Sequence, residues 1–159
     1  MTAERSLTDY EQEILNHVED SGVHVTTVSD DPAFTYSAGF EQSYDRAEAI
    51  VFGLGYGVMA SMINRLGDHY RDGLAPEDGL RVGGILNNFK VILRTIPSDH
   101  IDREYFNSAM WLQNRAGGEL RRAVQIVWPC DQTGLFPWEA GCPPDVIQLQ
   151  TPLFDTSSQ

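Results

Sequence analysis

The residues best equipped for chemistry in this 159-residue chain gather in one stretch, QIVWPCDQTGLFPWEAGCPPD, running from Gln125 to Asp145. Cys142 follows Gly141 and stands three positions from Glu139, so a thiol nucleophile and a carboxyl acid could share one loop. Nucleophilic catalysis also needs a base and a group to orient it. His24 and Tyr36, far upstream, are the available partners. Cys142, Glu139, Tyr36 and His24 therefore form the candidate catalytic set. The plainer reading leaves Cys142 a buried thiol and Glu139 a hydrogen-bond acceptor within its own loop.

Four prolines, Pro129, Pro137, Pro143 and Pro144, each fix one backbone dihedral, so the loop has little entropy left to lose on docking. Trp128, Phe136 and Trp138 give it large apolar area with which to dock. Either these rings close the end of the core as a lid, or some of them wall a pocket with indole donors, Glu139 and Cys142 as polar handles. Trp128, Trp138, Phe136 and Gly39 are the expected ligand contacts. The pocket is expected between Tyr36 and the loop.

Other constellations are weaker. GLGYG at Gly53 to Gly57 follows a strand and opens a helix, where backbone amides could hold a phosphate. Its spacing lacks the third glycine of a dinucleotide site and no Lys-Ser or Lys-Thr follows, so a tight strand-to-helix turn is the better reading. Glu13, His17 and Asp20 share one helical face and could offer a metal three ligands, and His69 beside Asp68 and Asp72 has the same ambiguity. Solvated acidic faces produce such spacings by chance, and His100 stands alone. No metal or cofactor is expected.

Net charge is −12, and residues 1–48 carry eleven acids against Arg5 and Arg46. Such a surface repels phosphate backbones and anionic lipids, which argues against nucleic-acid or membrane partners. It suits a basic protein, or simply keeps the chain soluble. There is no apolar run of eighteen residues, and the acidic start MTAERSLTDYEQE is not a secretory leader, so a cytoplasmic protein with thiol cysteines is expected.

The elements that must position these residues follow from local pattern. Thr8 and Glu11 make a capping box for a helix with Ile14, Leu15 and Val18 at helical spacing, ending at Gly22. Val23 to Ser29 and Phe34 to Gly39 read as a hairpin around Asp30, Asp31 and Pro32. Ala49 to Leu54 is a strand buried on both faces. Met59, Met62, Ile63, Leu66 and Tyr70 mark a helix closed by Gly73. Gly79 to Leu86 is a weak strand with a bulge at Gly83-Gly84, and Phe89 to Ile96 a strong one. Ser98 is expected to cap a helix bearing Ile101, Tyr105, Ala109 and Leu112, and Arg122 to Trp128 is the last strand. The sum is an α+β fold with one mixed, largely antiparallel sheet and helices mainly on one face. Residues 8–153 would form one domain between tails 1–7 and 154–159.

The stretch QIVWPCDQTGLFPWEAGC, with DPAFTYSAGF and EAIVFGLG upstream, resembles a small, largely actinobacterial family whose domain has no assigned function. The resemblance covers roughly residues 10 to 152 and implies one domain of bacterial or phage origin, with no activity attached. Members of that family often read Pro-Asp after the tryptophan, where this chain has Pro129, Cys130 and Asp131. Many carry a His-Pro-Glu-like triplet where it has Arg46, Ala47 and Glu48. Three functions stay open: a binding or interaction protein, a small-molecule enzyme, and nucleotide binding at the glycine turn.

Overall fold

The computed structural model describes residues 6–156, so parts of both expected tails, 1–5 and 157–159, lie outside the described residues. Thr8 Oγ1 accepts the Glu11 amide and Glu11 accepts the Thr8 amide, both at 3.0 Å, closing the box that starts α1 (Asp9–Ser21). Gly22, at φ 87°, ends it in the left-handed region. The hairpin β1 (His24–Val28) and β2 (Phe34–Ala38), the short α2 (Phe40–Tyr44) and β3 (Glu48–Phe52) follow. Then come α3 (Tyr56–Arg71), β4 (Leu80–Leu86), β5 (Phe89–Ile96), α4 (Arg103–Arg115), β6 (Ala123–Val127) and α5 (Pro144–Leu149).

The strands make one sheet in the order β1-β2-β3-β6-β5-β4, antiparallel throughout except for the parallel pair β3 and β6. The fold is α+β, a single domain with a mixed, mostly antiparallel sheet packed against helices. All five positions of β3 are buried. Ala49 and Val51 pack with Met59, Met62, Ile63 and Leu66 of α3, while Ile50 and Phe52 pack with Ile14 of α1 and Phe106, Ala109 and Leu112 of α4. The helices thus divide between the two faces and do not collect mainly on one. A strand apolar on both sides needs a layer of cover on each.

Three local features depart from the pattern reading. Ser98–His100 forms a 3-10 turn, Ile101 goes extended, and α4 starts after Asp102, whose carboxylate accepts the Glu104 amide at 2.9 Å. The helices α2 and α5, five and six residues long, are too short to show a period. Phe154, placed in the expected tail, is buried with Ile92, Val127 and Phe136. The bulge in β4 is where glycine spacing put it, as a register shift between Val82 and Leu86. No helix among the described residues is long and apolar enough to cross a membrane.

Glu48, fully buried, joins the first half of the sheet to α2. Its Oε1 accepts Ser37 Oγ–H at 2.7 Å and the Phe40 amide at 3.0 Å, and its Oε2 accepts the amides of Gly39 at 3.1 Å and Glu41 at 3.2 Å. Gly39 sits at φ 122°, and a Cβ there would lie 2.8 Å from Val18 Cγ2. Only glycine both turns the chain and lets α1 approach. Burial pushes the Glu48 carboxyl up from 4.5 to about 7, against the pull of its four donors.

Because the folded value lies above the unfolded one, the stability that Glu48 contributes is complete below pH 4.5 and is lost as pH rises through about 7. The lost amount is about 3 kcal/mol. Replacement by glutamine sets an NH₂ group against backbone N–H donors and is expected to destabilise, while removing this titration. The stability difference between wild type and Glu48→Gln, measured by urea unfolding, should shrink by that amount between pH 4.5 and pH 7.5. A pH-independent difference would contradict the assignment.

Candidate functional site

The loop after β6 is ordered by its own bonds. The Cys130 amide donates to Leu135 O at 2.8 Å and the Gly134 amide to Cys130 O at 2.8 Å. Glu139 Oε1 accepts the Phe136 amide at 2.9 Å, so this carboxylate serves as an acceptor inside its own loop. Trp128 is buried, with its indole N–H on Phe52 O at 2.7 Å. Phe136 is fully buried and stacks on Trp138 at 5.4 Å and 11°. Arg94 lies over both Trp138 and Phe154, at 4.9 and 4.5 Å, and Arg81 over Phe136 at 5.2 Å. Each such cation–ring contact is worth about 0.5–2 kcal/mol when partly desolvated. The aromatic loop is mainly a lid.

Of the expected ligand contacts, Trp138 lines a groove. That groove, about 250 Å³, is apolar and lined also by Pro137, Ile147, Pro152 and Phe154. Gly39 is buried beside α1. Tyr36 packs edge-on against Phe106 at 5.9 Å, in the layer between β2 and α4. Tyr36 is buried in that layer and does not line the Trp138 groove. Successive residues of β2 face opposite sides, and Tyr36 points toward α4.

A cleft of about 300 Å³ with mixed polar and apolar walls opens between α1 and α4, lined by Tyr10, Glu11, Arg103, Asn107, Ser108 and Trp111 among others. Among the described residues Arg103 has no ion-pair partner. Tyr10 Oη stands 2.8 Å from Ser108 Oγ, 3.2 Å from Thr26 Oγ1 and 3.3 Å from His24 Nε2. His24 Nδ1 is 2.8 Å from His17 Nδ1, and His17 Nε2 lies 3.8 Å from Glu13. Ser108, Tyr10, His24 and His17 thus form one unbroken chain. Tyr36 Oη accepts the Ser108 amide at 2.9 Å, next to a break in α4 where Phe106 leaves helical geometry.

The structure therefore brings two of the candidate catalytic residues, His24 and Tyr36, to the wall of this cleft through Tyr10 and Ser108. It leaves Cys142 and Glu139 in the loop. Tyr10, Ser108, Arg103 and Trp111 carry no motif, and Tyr10 meets Ser108 across 98 positions of sequence. The one local signal was HVEDSGVH, where a helix end and a left-handed Gly22 turn His17 and His24 back to back.

His17 turns toward His24 and not toward Asp20. Among the described residues no three His, Cys, Asp or Glu side chains are arranged to hold a metal ion. The GLGYG turn is a strand-to-helix connection: at Gly53, φ 82°, a Cβ would meet Leu149 O at 2.5 Å. That glycine serves the close approach of α5.

Burial lowers the His24 pKa below its ordinary 6.5, His17 adds to the shift, and Glu13 opposes it. The unfolded chain then takes up the proton first as pH falls, so stability drops with acid from pH 6.5 downward. Glu48 acts in the opposite direction over this range, so the prediction is for the difference: from pH 7.5 to pH 5.5 the melting temperature of His24→Gln should rise relative to that of wild type. A constant difference would remove His24 as a source of acid sensitivity.

A family model described as Domain of unknown function (DUF4262) matches residues 17–143, most of the chain. No curated protein and no solved structure matches it. On the extent of that match, the chain belongs to the DUF4262 family, a domain of unknown function.

Proposed function

We propose that the protein binds a small molecule bearing an anionic group in the α1–α4 cleft and exchanges a proton with it at Ser108. The observation that carries this reading is the continuous hydrogen-bonded chain from the cleft wall to His17. Two proton arrangements satisfy every link. In one, Ser108 donates to Tyr10, Tyr10 to His24 Nε2, and His24 Nδ1–H to His17 Nδ1. In the other, every donor and acceptor is reversed. Passing one proton along the chain converts the first into the second, and Glu13 stands beside the histidine that receives it. Arg103 supplies the cation for the anionic group, the Trp111 ring a flat apolar wall, and Asn107 and Asn114 further hydrogen bonds.

The groove at Trp138 supports a second, apolar site, in keeping with a binding role for the loop. A basic partner on the acidic first third has less support. Arg122 already engages Glu41 and Asp45, both at 2.7 Å, and Glu48 is buried. The loop and strand motifs that resemble an actinobacterial family support a bacterial source.

The reading is tested by titrating a panel of small hydroxy- and amino-carboxylates into the labelled protein and following amide and indole resonances. A ligand should shift the Trp111 indole N–H and the α4 amides, and Arg103→Ala should weaken it about tenfold, the worth of one charge-assisted hydrogen bond. Tyr10→Phe should keep binding while removing the buffer-dependent part of the calorimetric heat. Shifts that ignore Arg103→Ala, or no shifts in α4 from any compound, would discard the site.

A further inference from the structure

We propose that Cys130 and Cys142 form a dithiol site that a hydroperoxide oxidises to an internal disulfide and a dithiol reductant restores. Both side chains are buried, at 3% and 8% exposure, in one packed cluster with Leu135 and Val146 against it. Both are anchored to one atom. Leu135 O accepts the Cys130 amide at 2.8 Å and lies 3.8 Å from Cys142 Sγ, so that sulfur is no farther from the Cys130 amide than these two lengths laid end to end. Both cysteines are free thiols. Asp131, Gln132, Thr133 and Gly134 are exposed, so the Cys130 thiol lies beneath a single solvent-facing turn.

The two sulfurs differ in environment. The Thr133 hydroxyl and the amides of Gln132 and Thr133 hydrogen-bond the Cys130 sulfur and pull its pKa below the ordinary value. Burial pushes Cys142 up, with Cys130, Asp145 and Glu139 adding to the rise. Cys130, which lies under the exposed turn 131–134, is assigned the attack on the peroxide, and Cys142 the resolving step; the opposite pKa directions agree with that order. The Cys130 sulfur attacks one peroxide oxygen; the O–O bond breaks, the other oxygen leaves as hydroxide or alkoxide and takes up a proton, and Cys130 becomes a sulfenic acid. The Cys142 sulfur then attacks the Cys130 sulfur. The S–S bond forms, the S–O bond breaks, and the departing hydroxide leaves as water with the Cys142 proton. The peroxide gains the two electrons the pair loses, and a dithiol returns them by exchange.

The test uses the whole protein, reduced and then freed of reductant, with one equivalent of hydrogen peroxide. Both thiols should disappear from a colorimetric count, the intact mass should fall by two hydrogens with no disulfide-linked dimer, and dithiothreitol should reverse both changes. Cys142→Ser should accumulate a dimedone-reactive sulfenic acid at Cys130, whereas Cys130→Ser should keep its remaining thiol under the same dose. Thiols that survive excess peroxide, a mass gain of oxygen without a disulfide, or a disulfide only between molecules would each overturn the proposal. The first two measurements need no variant.

Discussion

A carboxylate excluded from water must find donors for both oxygens, and in this fold that requirement falls on Glu48. An isolated buried charge would cost several kcal/mol, so each of its oxygens takes two donors, three of them from the start of α2. Meeting that demand fixes the chain around it. Gly39 must take the left-handed turn that aims its amide inward, and Ser37 must face the carboxylate while its Oγ also accepts the Ala49 amide at 2.8 Å. Because side chains alternate along β2, directing Ser37 to one face directs Tyr36 to the other, against α4. The position of the Ser108 amide on the far side of the sheet therefore traces back to a carboxylate at the head of β3. Glu48 also sits where the sheet changes from antiparallel to parallel pairing, opposite Ala123 of β6.

The other half of the sheet is held by amides. Gln125, fully buried in an otherwise apolar strand, donates to Thr151 O and accepts the Leu153 amide, both at 2.9 Å. Gln150 does the same for Trp128, donating to its carbonyl at 2.8 Å and accepting its amide at 3.1 Å. Together with His100 Nδ1 on Leu153 O at 2.6 Å, these bonds wrap the C-terminal segment over β5 and β6, where Phe154 completes the stack around Arg94. The guanidinium of Arg94, 9% exposed, meets Asp78 at 3.0 Å and two ring faces, which together offset its desolvation.

Signals that act over a few residues were readable in the sequence. The capping box at Thr8, the hairpin either side of Pro32, the doubly buried strand before Gly53 and the glycine bulge in β4 each state their geometry locally. Signals that depend on assembly were not. Glu48 and Gln125 look like ordinary polar residues beside apolar runs, and only the packed sheet shows that Glu48 is satisfied by Ser37 and the amides of residues 39–41, and Gln125 by backbone of residues 151 and 153. Ser98 is as good a cap as Asp102, and the decision between them rests on Ile101 being drawn into the core. The candidate residues split for the same reason. The loop chemistry was legible as composition, and its mutual bonds are local. The meeting of Tyr36 and His24 with α4 and Tyr10 has no counterpart in spacing.

Ser108 shows why the cleft reads as more than a packing defect. It lies two residues past the break in α4, where a regular helix would have kept the ladder intact. A helix pays for such a break with about 1 kcal/mol per lost bond, and the Tyr36 hydroxyl makes up most of it by accepting the Ser108 amide. Stability alone would be served by an unbroken α4 and a phenylalanine at position 36. What the arrangement adds is aim: the Ser108 amide is fixed from the sheet side by one tyrosine, and its hydroxyl is linked on the cleft side to another that reaches His24. A serine held at both ends, 3% exposed and facing a cleft whose Arg103 has no ion pair among the described residues, is a group whose position is specified more tightly than packing requires.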